Sequence, residues 1–250
     1  MRHQDISEYY IPPLIAHRGA SAYAPENTLA SFLCAHQHGA EWVETDIYLT
    51  ADQEIICIHD ENLHRYTGVS CKVTQTNYAE LLRYDIGSWF DIKYADQRIV
   101  KLKDALIMLS QLNMGINIEI KPQPNMNNLV KKCIKLIKEY WPARLKPPLI
   151  SSFDHQALTL ARQFDPHIPL GLLLDKWDKE WITKAANLKC ISVHLPYRLA
   201  ITSHIKAIKK RGYKLLVFTI NDKTIANNLF AKQIDSIFSD YPNLLTIKNK

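Results

Sequence analysis

Residues 42–60, WVETDIYLTADQEIICIHD, decide the architecture. Two apolar, β-branched runs, 42–49 and 55–60, are separated only by TADQE, residues 50–54. A parallel crossover needs a dozen or more residues, so these runs must form an antiparallel hairpin. Within the first run, residues two apart share a face: Glu44 and Asp46 project together, while Val43 and Thr45 face the other way. Folding about Asp52 is expected to set Glu44 and Asp46 roughly opposite His59 and Cys57.

Similar strand-like runs recur on both sides of this hairpin, at 14–19, 116–121, 149–153, 169–174, 190–195, 214–220 and 235–241. Amphipathic helical stretches fill the gaps, at 26–38, 102–113, 126–140, 155–163, 178–187, 200–211 and 222–231. With the second hairpin arm set aside, eight strands remain, each separated from the next by a helical stretch. That order predicts an α/β fold, a (β/α)8 TIM barrel. An open doubly wound sheet is the alternative, and it lacks a GxGxxG fingerprint here. No Gly/Ser-rich linker divides the chain, so residues 1–250 are expected to form a single domain. Residues 61–101 fit no barrel unit and read as an insertion at the mouth after the second strand, with Asn77 and Glu80 as a capping pair. Its aromatics, Tyr78, Tyr84, Trp89, Phe90 and Tyr94, suit a satellite core or a partial lid.

Composition narrows the partners. An apolar fraction of 47% supports a substantial core, and the net charge of +6 is spread along helical faces such as 131–138 and 206–211, which argues against a nucleic-acid surface. The N-terminus carries Asp5 and Glu8 with no apolar core of signal-peptide length, and no later stretch could span a bilayer. Five scattered cysteines without CxxC pairs read as reduced thiols. A cytoplasmic protein with a small-molecule substrate is therefore expected.

Barrel enzymes place their chemistry at the C-terminal ends of several strands. Here those ends deliver His17 and Arg18, Glu44 and Asp46, and Glu119 and Lys121, while the hairpin adds His59. Three inward carboxylates on neighbouring strands repel one another unless a cation lies among them. Carboxylate ligands without clustered Cys or His suit a hard divalent ion, Mg²⁺ or Ca²⁺. Three carboxylates, a divalent cation and a phosphodiester would leave two negative charges, which Arg18 and Lys121 neutralise. Arg18 can grip phosphate oxygens, and the two histidines can take up and deliver a proton.

These residues carry a resemblance. IAHRGASAYAPENTLASF, GAEWVETDIYLTADQEIICIHDENLHRYTG, ELLRYDIGSWF, INIEIKP, LISSFD, VFTIND and IFSDYP, in this order, resemble the glycerophosphodiester phosphodiesterase family over nearly the whole chain. The resemblance implies a divalent metal on Glu44, Asp46 and Glu119, acid/base histidines at His17 and His59, and substrate phosphate held by Arg18 and Lys121. The implied reaction hydrolyses a glycerophosphodiester, such as glycerophosphocholine or glycerophosphoethanolamine, to sn-glycerol 3-phosphate and an alcohol. The chain departs from the family pattern at Gln53, where glycine is common, at Tyr66 within Arg65-Tyr66-Thr67, where threonine is usual, and at Phe218, where tryptophan is usual. Two alternatives stand beside this reading: a lysophospholipase D acting on lysophospholipids, and a non-catalytic barrel that binds phosphorylated ligands.

Overall fold

The computed structural model describes residues 9–245. Strand β1 (Leu14–Ala16) is three residues long and β2 (Trp42–Leu49) eight, and this mismatch shapes the mouth of the barrel. The lower end of β2 pairs in parallel with β1, Ile15 with Trp42 and Ala16 with Val43. Its upper end overshoots β1, and β3 (Ile55–Cys57) pairs there in antiparallel fashion. Backbone groups that would otherwise form an open edge are thus bonded. A two-residue strand, β4 (Val100–Lys101), extends the antiparallel edge beyond β3 and was not anticipated from the sequence. The other side of β2 pairs with β5 (Gly115–Ile120). Then follow β6 (Leu149–Ser152), β7 (Leu170–Leu173), β8 (Ser192–Pro196), β9 (Lys214–Phe218) and β10 (Ser236–Ser239), which returns to β1. Eight parallel strands close the (β/α)8 barrel.

The hairpin does fold about Asp52, but its pairing differs by one residue from the expectation. Leu49 pairs with Ile55 and Ile47 with Cys57, and the Ile58 amide bonds to the Asp46 carbonyl at 2.9 Å. A five-residue loop centred on Asp52 dictates this register. His59 therefore lies past the end of β3 and enters the mouth from the loop. Gln53 takes φ 68° in the turn, the left-handed conformation that glycine adopts most easily.

Helices α1 (Leu29–Gln37), α4 (Leu102–Gln111), α5 (Met126–Tyr140), α6 (His155–Phe164), α7 (Trp181–Asn187), α8 (Thr202–Lys209) and α9 (Lys223–Phe230) form the outer layer. Between them lie the short α2 (His64–Thr67) and α3 (Tyr78–Leu81). Helix α1 starts three residues later than the expected 26, because Thr28 caps it in a box with Ser31 and Asn27 is left-handed at φ 56°. Glu26 and Asn27 stay in the loop, free to serve the mouth.

Outward strand residues such as Val43, Ile47, Ile118 and Val217 pack on the buried stripe of the helices, where α5 contributes Leu129, Cys133 and Ile137. Inside the barrel, Ile15, Trp42, Leu149, Leu216 and Phe238 form an apolar floor closed by Tyr9 and Ile11. Gly115 is required there, since a Cβ would lie 2.3 Å from the Trp42 indole. Above the floor the interior turns polar, with Asn117 bonded to Ser151 at 3.0 Å and His194 to Ser192 at 2.9 Å.

Between β3 and α4 the chain builds a second apolar cluster, with Ile56, Ile58, Leu63, Tyr66, Val73, Leu81, Ile86 and Ile99, against which Tyr78 and Tyr84 pack. Trp89, Phe90 and Tyr94 instead form an edge-to-face row starting at Tyr66, and the Tyr94 hydroxyl donates to the Tyr23 carbonyl at 3.0 Å. Asn77 precedes α3 without a side-chain capping bond; the Tyr78 amide donates to Asp52 Oδ1 instead. The five cysteines are free.

Candidate active site

At the end of β1 the chain turns through two left-handed residues, Arg18 at φ 55° and Gly19 at φ 81°. A Cβ on Gly19 would lie within 2.4 Å of Ser31 Oγ, so glycine answers both the conformation and the close approach of α1. The turn aims the Arg18 amide at Glu44 Oε2, 2.8 Å away. Glu44, Asp46 and Glu119 each present a carboxylate oxygen, and these atoms lie within 4.8 Å of one another. The triad expected from strand alternation is therefore assembled.

Its electrostatics are uneven. Burial, then the charges of Asp46 and Glu119, push Glu44 well above the usual carboxylate range. Glu119 is raised by burial and by Asp46. Burial would raise Asp46 too, but Lys121, Arg18, His59 and the Asn27 amide outweigh it and hold that carboxyl below its usual range. Lys121 Nζ lies 2.9 Å from Asp46 and 2.8 Å from Glu119. Arg18 Nη1 pairs with Glu26 at 3.0 Å and Nε lies 3.5 Å from Asp46. Two buried atoms here have no hydrogen-bond partner, the donor Arg18 Nε and the acceptor Glu44 Oε1.

Both histidines are oriented by carboxylates. His17 Nδ1 lies 2.7 Å from Asp240 Oδ1, and Asp240 is pinned in turn by Ser21 and Asn221. Burial opposes ionisation of Asp240, yet the His17 hydrogen bond and charge bring its carboxyl down to about 2. His59 Nδ1 lies 2.6 Å from Asp60 Oδ1. Burial and the cations Arg18 and Lys121 lower His59 against the pull of Asp46 and Asp60.

The structure thus gathers all seven expected residues at one mouth and adds a supporting layer that strand-face reasoning passed over. Asn27 donates to Asp46 Oδ2 at 3.0 Å and accepts from Thr45 Oγ1 and the Asp46 amide, which fixes the carboxylate's orientation. Glu26, Asp60, Asn221 and Asp240 likewise stand in loops. Their only sequence signal was inclusion in APENT, HD, TIND and FSDYP. Phe218 packs edge-on against Phe153 and Phe238, on the side opposite the triad strands in the order of the barrel.

The fold and its mouth define a class: a (β/α)8 barrel with an acidic, oxygen-rich centre flanked by cations and oriented imidazoles. A model of the glycerophosphoryl diester phosphodiesterase family matches residues 17–244. The glycerophosphodiester phosphodiesterase of Caldanaerobacter subterraneus subsp. tengcongensis is 33% identical over 234 residues, covering 93% of this chain and 95% of that protein. A phosphodiesterase from Oleispira antarctica, solved with the product sn-glycerol 3-phosphate, superimposes with TM-score 0.90 at 37% identity, covering 93% and 94% of the two chains. Human lysophospholipase D is 26% identical over 284 residues, covering 97% of this chain and 88% of that one. The chain belongs to the glycerophosphoryl diester phosphodiesterase family and is an enzyme of that class, a phosphoric diester hydrolase. Among the described residues no helix is long and apolar enough to cross a membrane.

Proposed function

We propose that this enzyme hydrolyses small glycerophosphodiesters, glycerophosphocholine or glycerophosphoethanolamine among them, to sn-glycerol 3-phosphate and the free alcohol, using a divalent ion. The observation that carries this reading is the pair of orphaned buried atoms. Glu44 Oε1 accepts no hydrogen bond, and Arg18 Nε, 3.5 Å from Asp46 Oδ2, donates none, while the Arg18 amide bonds the other Glu44 oxygen. A cation suits the first and a phosphate oxygen the second.

Glu44, Asp46 and Glu119 would hold the ion; their hard oxygen donors suit Mg²⁺ or Ca²⁺. When bound, such an ion withdraws charge from a phosphate oxygen. Arg18 and Lys121 bind the remaining phosphate charge and align the ester for in-line attack. With Nδ1 of each imidazole held by a carboxylate, Nε2 is the nitrogen left to His17 and His59 for proton transfer. One takes a proton from the attacking oxygen and the other returns a proton to the leaving alkoxide. We also infer a cytoplasmic enzyme of one barrel domain, residues 1–250, carrying 61–101 as an insertion, with no nucleic-acid partner.

A second substrate, a lysophospholipid, is favoured by the exposed aromatics Trp89, Phe153, Tyr197 and Tyr241, which lie in the insertion or just past the C-terminal ends of barrel strands. The test is a chelated preparation given glycerophosphocholine with or without Mg²⁺ or Ca²⁺, with glycerol 3-phosphate followed by a coupled dehydrogenase. Metal-dependent product is expected, reduced by at least roughly 100-fold in His17→Ala, in His59→Ala and in Glu44→Ala. Lysophosphatidylcholine cleaved while glycerophosphocholine is untouched would move the assignment to the second substrate. No turnover of either would overturn the reading.

A further inference from the structure

Four side chains of alternating charge, Arg18, Glu26, Arg65 and Asp60, form a chain along the mouth that ends on the His59 imidazole. Arg18 Nη1 pairs with Glu26 Oε1 at 3.0 Å. Arg65 donates to both oxygens of Glu26, at 2.7 and 3.1 Å, and through Nε to Asp60 Oδ2 at 2.7 Å. Asp60 holds His59 through its other oxygen at 2.6 Å. Every link is within direct bonding distance, and no two adjacent links share a sign.

Arg65 is the only member that touches both carboxylates. It lies on α2, beyond the hairpin, 39 positions along the chain from Glu26. A flexible ammonium could satisfy one acid or the other, whereas the planar guanidinium uses its Nε edge for Asp60 and its Nη edge for Glu26 at once. Its plane is fixed further by the Tyr66 ring, 4.3 Å from the guanidinium carbon, and by Trp89 at 5.5 Å. The Tyr66 hydroxyl donates to Glu26 at 3.0 Å and accepts from Arg65 at 2.6 Å. The Glu26 side chain is only 10% exposed and receives Arg18, Arg65 and Tyr66 together. With both Asp60 oxygens engaged, that carboxylate cannot rotate, and the imidazole bonded to it keeps one orientation.

We propose that Arg65, seated by Tyr66, is a positioning residue for the reaction: it joins the phosphate clamp Arg18 and the proton-transfer group His59 into one rigid unit of fixed spacing. This rests on the function proposed above. An exposed ion pair that merely pinned the segment after β3 to the barrel would affect stability modestly and catalysis not at all. A link between two reacting groups acts differently, since displacements of about 1 Å at a site of this kind cost on the order of 100-fold in rate.

The test measures kcat and KM on glycerophosphocholine beside thermal melting for Arg65→Ala, Arg65→Lys, Tyr66→Phe, Asp60→Asn and the double variant Arg65→Ala/Asp60→Asn. Arg65→Ala is expected to lose roughly 10- to 100-fold in kcat, with KM raised several-fold as Arg18 loosens. Millimolar methylguanidinium should restore a large part of that kcat, and Arg65→Lys should recover only part of it. Tyr66→Phe keeps the ring and guards against a folding failure; a several-fold loss in kcat at unchanged melting temperature is expected. Adding Arg65→Ala to Asp60→Asn should cost far less than it costs alone. If Arg65→Ala and Tyr66→Phe lower only the melting temperature, with kcat and KM unchanged, the proposal is overturned while the function stands. A wild-type enzyme that turns over no glycerophosphodiester would sink that function and this inference with it.

Discussion

At Glu44 one carboxyl oxygen accepts the Arg18 amide while the other has no partner, and both neighbouring acids carry the same sign. Burial, then Asp46 and Glu119, raise this carboxyl well above the usual range. In metal-free protein the folded chain therefore holds a proton that the unfolded chain has released, and stability falls as pH rises through that interval. Glu44→Gln cannot ionise. At pH 7.5 without metal it is expected to melt a few degrees above the wild type, about 1–2 kcal/mol more stable, and to lose the stabilisation that Mg²⁺ or Ca²⁺ gives the parent. Melting curves with chelator and with each ion check this. A variant that melts lower without metal would show that the acids do not strain one another.

At the scale of elements, the overshoot of β2 past β1 creates the edge on which the hairpin, and through it His59 and Asp60, is seated. β2 is placed from below by the fit of Trp42 into the space left by Gly115. Gly115→Ala is expected to cost about 1–3 kcal/mol, because the indole must move and Trp42 is buried in the barrel floor. Denaturant unfolding measures the loss, and Trp42→Phe in the same chain should recover part of it. A neutral Gly115→Ala would mean that the floor repacks freely. The elements themselves were largely legible in the sequence, since alternation and helical periodicity are local signals. The late start of α1 was not, because a left-handed Asn27 follows from contacts rather than from pattern, whereas the one-residue shift of the hairpin lies in the loop spacing itself, since a five-residue loop centred on Asp52 pairs Leu49 with Ile55.

For the whole molecule, the barrel interior carries a pH dependence of its own. His194 is fully buried beside Phe238, with Ser192 on Nε2 and no partner for Nδ1. Burial pushes its pKa down to about 3. The unfolded chain binds the proton first, so stability is complete above about pH 6.5 and declines as pH falls toward 3, by up to about 1.4 kcal/mol per unit. Burial lowers His59 as well, which adds in the same sense. Between pH 6.5 and 5, above the main carboxylate range, His194→Gln should flatten the wild-type slope in urea titrations. An unchanged slope would mean that the ring reaches water or is already protonated inside the barrel.

What the sequence by itself determined is what period-two alternation and connection length can dictate: the eight-strand barrel, the single hairpin, and the inward set Glu44, Asp46, Glu119 and Lys121 with His17 and Arg18 at a strand end. Only the tertiary structure decided how those groups are held. Asp240 orients His17 from 223 residues away, and Arg65 reaches Glu26 across 39. Neither pairing leaves a local trace, because loop residues follow no period and meet only when the barrel closes and β10 returns beside β1.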